Sequence, residues 1–148
     1  MNNFNMNTPD GIHVEFHAAG ENESFARMVI AAYVMRLNPT VTELDDLKTA
    51  VSEAVTNSIV HGYGERDGII ILEAATAGPE VTVRVLDFGV GIEDVEQAKQ
   101  PLFTTAASKE HSGMGFTVME AFTDELVVES EKGEGTFVCM KKRITGGN

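Results

Sequence analysis

Two pairs of strand-prone runs, each pair joined by only a few turn residues, limit what this chain can become. "IIILEAAT" (69–76) and "EVTVRVLD" (80–87) flank "AGP", and "ELVVES" and "GTFVCMKKR" flank "EKGE". Runs rich in Val and Ile bounded by Gly and Pro predict strands, and connections this short permit only antiparallel neighbours. An earlier run, "IHVEFHA" (12–18), alternates apolar and polar residues and predicts a further strand. Its His13 and His17 fall on the polar phase, which predicts solvated side chains rather than metal ligands.

Between the strands lie helical patterns. "ENESFARMVIAAYVMRL" (21–37) predicts a helix with Phe25, Met28, Val29, Ala32 and Tyr33 as its apolar stripe. "NPT" breaks it, and Thr40 or Thr42 can cap the next helix. That helix is expected from about Val41 to Val60, burying Leu44, Leu47, Val51, Val55 and Ile59. "GYGERDG" (62–68) predicts a turn, "EDVEQAK" one or two helical turns, and "MGFTVMEAFTD" (114–124) a short helix. "QPLFTTAASKEHSGMG" (100–115) has no clean period, and a loop that long inside a compact domain is usually functional or mobile.

The order βα, α, ββ, loop-α, ββ predicts an α+β fold. The expected architecture is a two-layer sandwich, with a mixed, mostly antiparallel sheet carrying helices on one face. A length of 148 residues suits a single domain over 1–148, with 1–11 and 144–148 expected to be loose.

Charge and cysteine usage narrow the function. Eleven basic residues face 23 acidic ones, for a net charge of −12. Such a surface repels nucleic-acid phosphates, so no direct nucleic-acid binding is expected, and it suits a basic protein partner. The single cysteine, Cys139, excludes an internal disulfide framework and is expected to pack in a strand. No stretch approaches the roughly 18–20 apolar residues of a membrane span. The first residues also lack a signal-peptide pattern, so a cytoplasmic protein is expected.

The triplet Asp87-Phe88-Gly89 occurs in protein kinases, where the aspartate holds magnesium. Here it stands without a Gly-x-Gly-x-x-Gly-x-Val loop or a His-Arg-Asp loop, in a chain too short for two lobes. The triplet belongs instead to a longer box, Asp87-x-Gly89-x-Gly91, leaving a strand. A carboxylate at a strand end can accept from an exocyclic amine, and the glycines let backbone approach a flat ring. Ser112-Gly113-Met114-Gly115-Phe116 opens a helix, where exposed N–H groups and the positive helix end favour phosphate. Gly135-Thr136 begins the last strand.

On the second helix Glu53, Asn57 and His61 are spaced i, i+4, i+8 and share one face. Taken alone they read more readily as a solvated helix face than as a site. As a site, Asn57 offers a hard neutral oxygen that suits magnesium already bound to phosphates. Glu53 could accept a proton from an attacking hydroxyl or water, and His61 could donate to phosphate.

Glu-x-x-x-Asn on a helix, Asp-x-Gly-x-Gly after a strand, Gly-x-Gly before a helix, and Gly-Thr follow in that order. The set resembles the GHKL ATPase/kinase superfamily, which includes gyrase and the histidine kinases, over nearly all of the chain beyond the first strand. "SEAVTNSIVHGY", "QPLFTT" and "SGMGFTVME" are most similar to its bacterial anti-sigma serine kinases, in particular the sporulation branch.

That resemblance implies the Bergerat ATP-binding fold, Mg-ATP as cofactor and ADP as product. Asn57 is implied as the magnesium ligand, Glu53 as general base toward a serine, and Asp87 as the reader of adenine. Gly89 and Gly91 would shape the adenine side, and Ser112, Gly113, Met114 and Gly115 the phosphate side, with Thr136 near the base. Residues 100–113, with Thr105, would form the ATP lid, and His111 stands where the family pattern leads one to expect arginine. Arg27 matches a position that meets both protein partners, which are a sigma factor of RNA polymerase and an anti-anti-sigma factor phosphorylated on serine. A homodimer is implied as well. The alternatives are a general-stress antagonist of the same family, a plain ATPase of the same fold, and a non-catalytic sigma-binding module that uses the nucleotide only as a ligand; an unrelated acidic α/β domain with chance motifs is disfavoured by the four motifs in order.

Overall fold

The computed structural model describes residues 10–100 and 115–146. Among the described residues, five strands form one sheet: β1 (Ile12–His17), β2 (Ile69–Ala77), β3 (Glu80–Asp87), β4 (Glu125–Glu131) and β5 (Gly135–Arg143). Their spatial order is β1-β2-β3-β5-β4. The expected mixed sheet is antiparallel at each of its four pairings, because β2–β3 and β4–β5 are tight hairpins and β1 and β5 also run against their neighbours.

The helices are α1 (Glu21–Val34), α2 (Val41–Asn57), the single turn α3 (Val95–Ala98) and α4 (Gly115–Phe122). A 3₁₀ turn (Met35–Leu37) closes α1, and a π turn (Ser58–Gly62) extends α2. Leu47, Val51 and Val55 of α2 are fully buried, as its period predicts, and Ala50 and Ala54 complete the packed stripe. They meet Ile70, Leu72, Val81, Val83, Val85, Val138 and Met140 from one face of the sheet. Burying each such side chain fully contributes about 1.5–3 kcal/mol relative to exposure. Cys139 is buried within β5.

The stripe expected on α1 is only partly the buried one: Tyr33 is buried and Val29 packs against the core, but the rest of it faces outward. Ala26, Ile30, Tyr33 and Val34 are buried, whereas Phe25 (48% exposed), Met28 (60%) and Met35 (57%) face outward, as does Ala32. The helix is apolar on two sides, so its periodicity fits either. Phe25 keeps one contact inward, an edge-on approach to Phe16 at 6.3 Å. On β1, His13 lies between Glu15 (2.8 Å) and Glu73 (2.7 Å), and Glu73 also pairs with Arg84 at 2.7 Å.

Within the segments expected to be loose, Asp10 and residues 144–146 are described and are held by hydrogen bonds. Asp10 accepts from the Tyr33 hydroxyl (2.9 Å) and, through its carboxylate, from Thr76. At the other end Ile144 is buried and its N–H donates to Pro79 O at 2.8 Å. Glu43 fastens the next residues, Thr145 and Gly146. It forms a capping box with Thr40 at the start of α2, Thr40 Oγ1 accepting from Glu43 N–H (3.1 Å) and Glu43 Oε1 from Thr40 N–H (2.9 Å). Its Oε2 accepts from Thr145 N–H (2.8 Å) and the Thr145 hydroxyl (2.6 Å). One carboxylate therefore caps α2 and ties down the C-terminal segment, which holds 144–146 in place.

These donors, led by the Thr145 hydroxyl, depress the Glu43 carboxyl to about 2. A depressed folded value means that the stabilisation is full above the ordinary value of 4.5 and fades as pH falls toward about 2. Glu43→Ala is expected to cost about 1–2 kcal/mol, from the lost cap and tail bonds. That corresponds to a melting temperature lower by roughly 3–8 °C. The difference from the unsubstituted protein should shrink between pH 4.5 and 2. Thermal unfolding followed by circular dichroism reads both, and an unchanged midpoint at neutral pH would count against the tail contact.

Candidate nucleotide site

Antiparallel register brings the site together. In β3, Val83, Val85 and Asp87 point to the helix side, and Asp87 lies opposite Ile70 of β2 and Thr136 of β5. A carboxylate thus occupies the place where the core stripe would take another valine. It is only 3% exposed, beneath the π turn that extends α2.

Burial raises the Asp87 carboxyl above the ordinary aspartate range, opposed by Ser58, Gly89 and Thr136. The Ser58 hydroxyl donates to Oδ2 at 2.7 Å and the Gly89 N–H to Oδ1 at 3.0 Å. The Thr136 backbone N–H, opposite Asp87 on β5, also favours the ionised form. An ionised carboxylate has about four lone-pair sites, so one more donor can be received. That donor set fits an exocyclic amine and disfavours a carbonyl.

The loop after Asp87 is fastened on several sides. The Tyr63 hydroxyl accepts from Phe88 N–H (2.7 Å) and donates to Ile69 O (2.5 Å). Gly62 O accepts from Val90 N–H (2.8 Å), and Ser130 Oγ accepts from Ile92 N–H (2.7 Å). Both predicted glycines are required here. A Cβ on Gly89 would come within 2.0 Å of Gly62 O, and Gly91 has φ +76° with Glu131 O at 2.1 Å from its Cβ position. Phe88 (59% exposed) and Val90 (51%) point outward, so the side chains on either side of Gly89 take no part in holding the carboxylate. Thr136 is buried, and its hydroxyl shares a hydrogen bond of 2.8 Å with Ser130 Oγ.

Glu53 and Asn57 lie one turn apart on α2 and are half-buried. The Cβ position of Gly115, the first residue of α4, is 3.3 Å from Glu53 Oε2. The Glu53 carboxylate therefore sits at the N-terminal end of a helix, where backbone dipoles favour negative charge. His61 is also half-buried, but it falls within the π turn, so α-helical spacing does not set its direction relative to Glu53 and Asn57. Thr105, His111, Ser112, Gly113 and Met114 lie outside the described residues. Arg27 is on α1, with Glu23 at 3.4 Å and Ser24 Oγ at 3.3 Å.

Three residues of the site escape a reading by motif: Ser58, Tyr63 and Ser130. Ser58 did leave a signal. It follows Val51 by seven and Ala54 by four, so it is a hydroxyl on the buried phase of α2. Tyr63 and Ser130 act through backbone groups of a distant loop, which no local pattern encodes.

Residues 16–142 match the family model described as the histidine kinase-like ATPase domain. An anti-sigma F factor of Clostridium beijerinckii is 54% identical over 132 residues, covering 88% of this chain and 92% of that protein. One from Thermoanaerobacter sp. (strain X514) is 54% identical over 133 residues, covering 90% and 93%. Among solved structures, the RsbU and RsbW domains of a Mycobacterium tuberculosis protein align with a TM-score of 0.65 at 22% identity, over 93% of this chain and 33% of that one. At that identity the likeness speaks for the fold alone. The family model and the relatives each extend over most of the chain, which therefore belongs to the histidine kinase-like ATPase family and, within it, to the anti-sigma F factors.

Proposed function

We propose that this protein is an anti-sigma factor and a protein serine kinase. It holds a sporulation sigma factor when loaded with Mg-ATP and phosphorylates a serine of an anti-anti-sigma factor. The buried Asp87 carboxylate, ringed by donors yet able to receive one more, carries the nucleotide reading. The likeness to proteins named anti-sigma F factor supports the regulatory one.

Bound Mg-ATP would supply the phosphoryl group and most of the charge neutralisation of phosphoryl transfer. This chain's residues bind and orient. Asp87 accepts from the base amine, with Gly89 and Gly91 keeping the loop close. Asn57 presents its amide oxygen to magnesium, and His61 donates to phosphate. Thr105, Ser112, Gly113, Met114 and Gly115 complete the lid and the phosphate side, and Thr136 supports the base side. Glu53 orients and deprotonates the serine hydroxyl of the protein substrate.

Arg27 lies on α1 beside the outward-facing Phe25 and Met28. An arginine among exposed apolar side chains suits a protein contact. In this reading both partners meet the protein there, one displacing the other according to the nucleotide state, and the protein acts as a homodimer in the cytoplasm.

Incubation with labelled ATP, magnesium and the candidate anti-anti-sigma protein tests the kinase reading directly. Label is expected on a partner serine, and release of phosphate to water alone would favour a plain ATPase. Glu53→Ala is expected to keep nucleotide and sigma binding while phosphorylation falls by roughly 100-fold or more. Undiminished transfer would remove Glu53 from the base role.

Asp87→Asn is expected to weaken ATP binding sharply, and calorimetric titration measures this. The base amine needs an ionised acceptor, and burial holds this carboxyl above the ordinary aspartate range. ATP affinity is therefore expected to fall on acidification, with a midpoint above that range. An affinity flat down to the ordinary aspartate range would exclude the role.

A further inference from the structure

Ser58 is 2% exposed, and its hydroxyl donates to Asp87 Oδ2 at 2.7 Å. A serine inside a helix commonly faces solvent or bonds back to a carbonyl one turn earlier. This one is instead committed to a carboxylate 29 residues away. It opens the π turn, and its own carbonyl accepts from Tyr63 N–H at 2.9 Å. The residue that holds the carboxylate is thus joined to the residue that holds the following loop.

Among the described residues, Asp87 receives a backbone donor from Gly89 and a side-chain donor from Ser58 alone. The terminal torsion of an aspartate is broad and roughly two-fold. The Gly89 bond reaches only Oδ1, so the hydroxyl on Oδ2 stops the carboxylate plane from turning. A hydrogen bond to an incoming amine weakens steeply once its angle departs from linear, so that plane sets how well one base is told from another.

We propose that Ser58 is a positioning residue for base selectivity, its buried hydroxyl fixing the Asp87 carboxylate as an acceptor aimed at the exocyclic amine of adenine. This rests on the proposed role of Asp87 as the reader of the base. A nucleotide lacking that amine makes no use of the fixed acceptor, so loss of the hydroxyl should matter for ATP and not for purine riboside triphosphate.

The experiment is calorimetric titration of both nucleotides, with magnesium, into the full chain and into its Ser58→Ala, Ser58→Cys and Asp87→Asn variants. Cysteine keeps the bulk of serine with a much weaker donor, which guards against a packing effect of alanine. Ser58→Ala and Ser58→Cys are each expected to weaken ATP about ten-fold, as for one hydrogen bond to a charged group. Purine riboside triphosphate is expected to change by less than about two-fold, a few tenths of a kcal/mol. Equal weakening of both nucleotides would make Ser58 merely structural and overturn the proposal, as would unchanged ATP affinity in both variants. If the unsubstituted protein and Asp87→Asn each bind the two nucleotides alike, the Asp87 reading itself fails and Ser58 falls with it. If Asp87→Asn loses the preference for ATP while the Ser58 variants keep it, only the Ser58 proposal fails.

Discussion

A buried carboxylate at the end of β3 is the constraint around which the site is built. Asp87 faces the helices on the same phase as Val83 and Val85, where an apolar residue would cost nothing in desolvation. Its charge is tolerable only with donors converging on it: Ser58 after α2 and Gly89 in the loop hydrogen-bond to it, and the Thr136 backbone N–H on β5 also favours its ionised form. The sheet register and the position of α2 must therefore both be right before the carboxylate can be held. Retaining such a group in place of a valine is reasonable only where its charge has a use.

Helix α2 serves two purposes at once. Its buried stripe, Leu47, Ala50, Val51, Ala54 and Val55, secures it against the sheet. Near its C-terminal end, Glu53 approaches the start of α4, with Asn57 one turn further on. The π turn at Ser58–Gly62 then widens the helix as it passes Asp87. Single π turns inside helices are frequent at functional sites. Ser58, on the buried phase of α2, opens that turn and reaches Asp87, while Gly62 O and the Tyr63 hydroxyl beyond it fasten the loop.

Much of this is legible in residues alone, though not evenly. The hairpins, the stripe of α2, the cap at Thr40 and the glycines at 89 and 91 are local demands, and each appears where its residues predict. The ordered motifs point to the family that the relatives establish. Helix α1 misleads because Phe25, Met28 and Ala32 keep helical spacing as well as Ala26, Ile30 and Tyr33 do. A period specifies that a face exists, not which of two apolar faces meets the sheet. The C-terminal segment reads as loose because nothing near Thr145 in sequence announces Glu43, 102 residues earlier.

The sequence by itself determined the strands, the helices and the order of the boxes, since these follow from side-chain periodicity, turn chemistry and backbone sterics within a few residues. It also determined which carboxylate stands at a strand end, at Asp87. Only the tertiary structure decided which face of α1 is buried, that Glu43 joins the cap of α2 to the C-terminal segment, and that Ser58, Gly89 and Thr136 share Asp87. Each of those outcomes depends on groups brought together from distant parts of the chain, and packing and register, not local preference, set those distances.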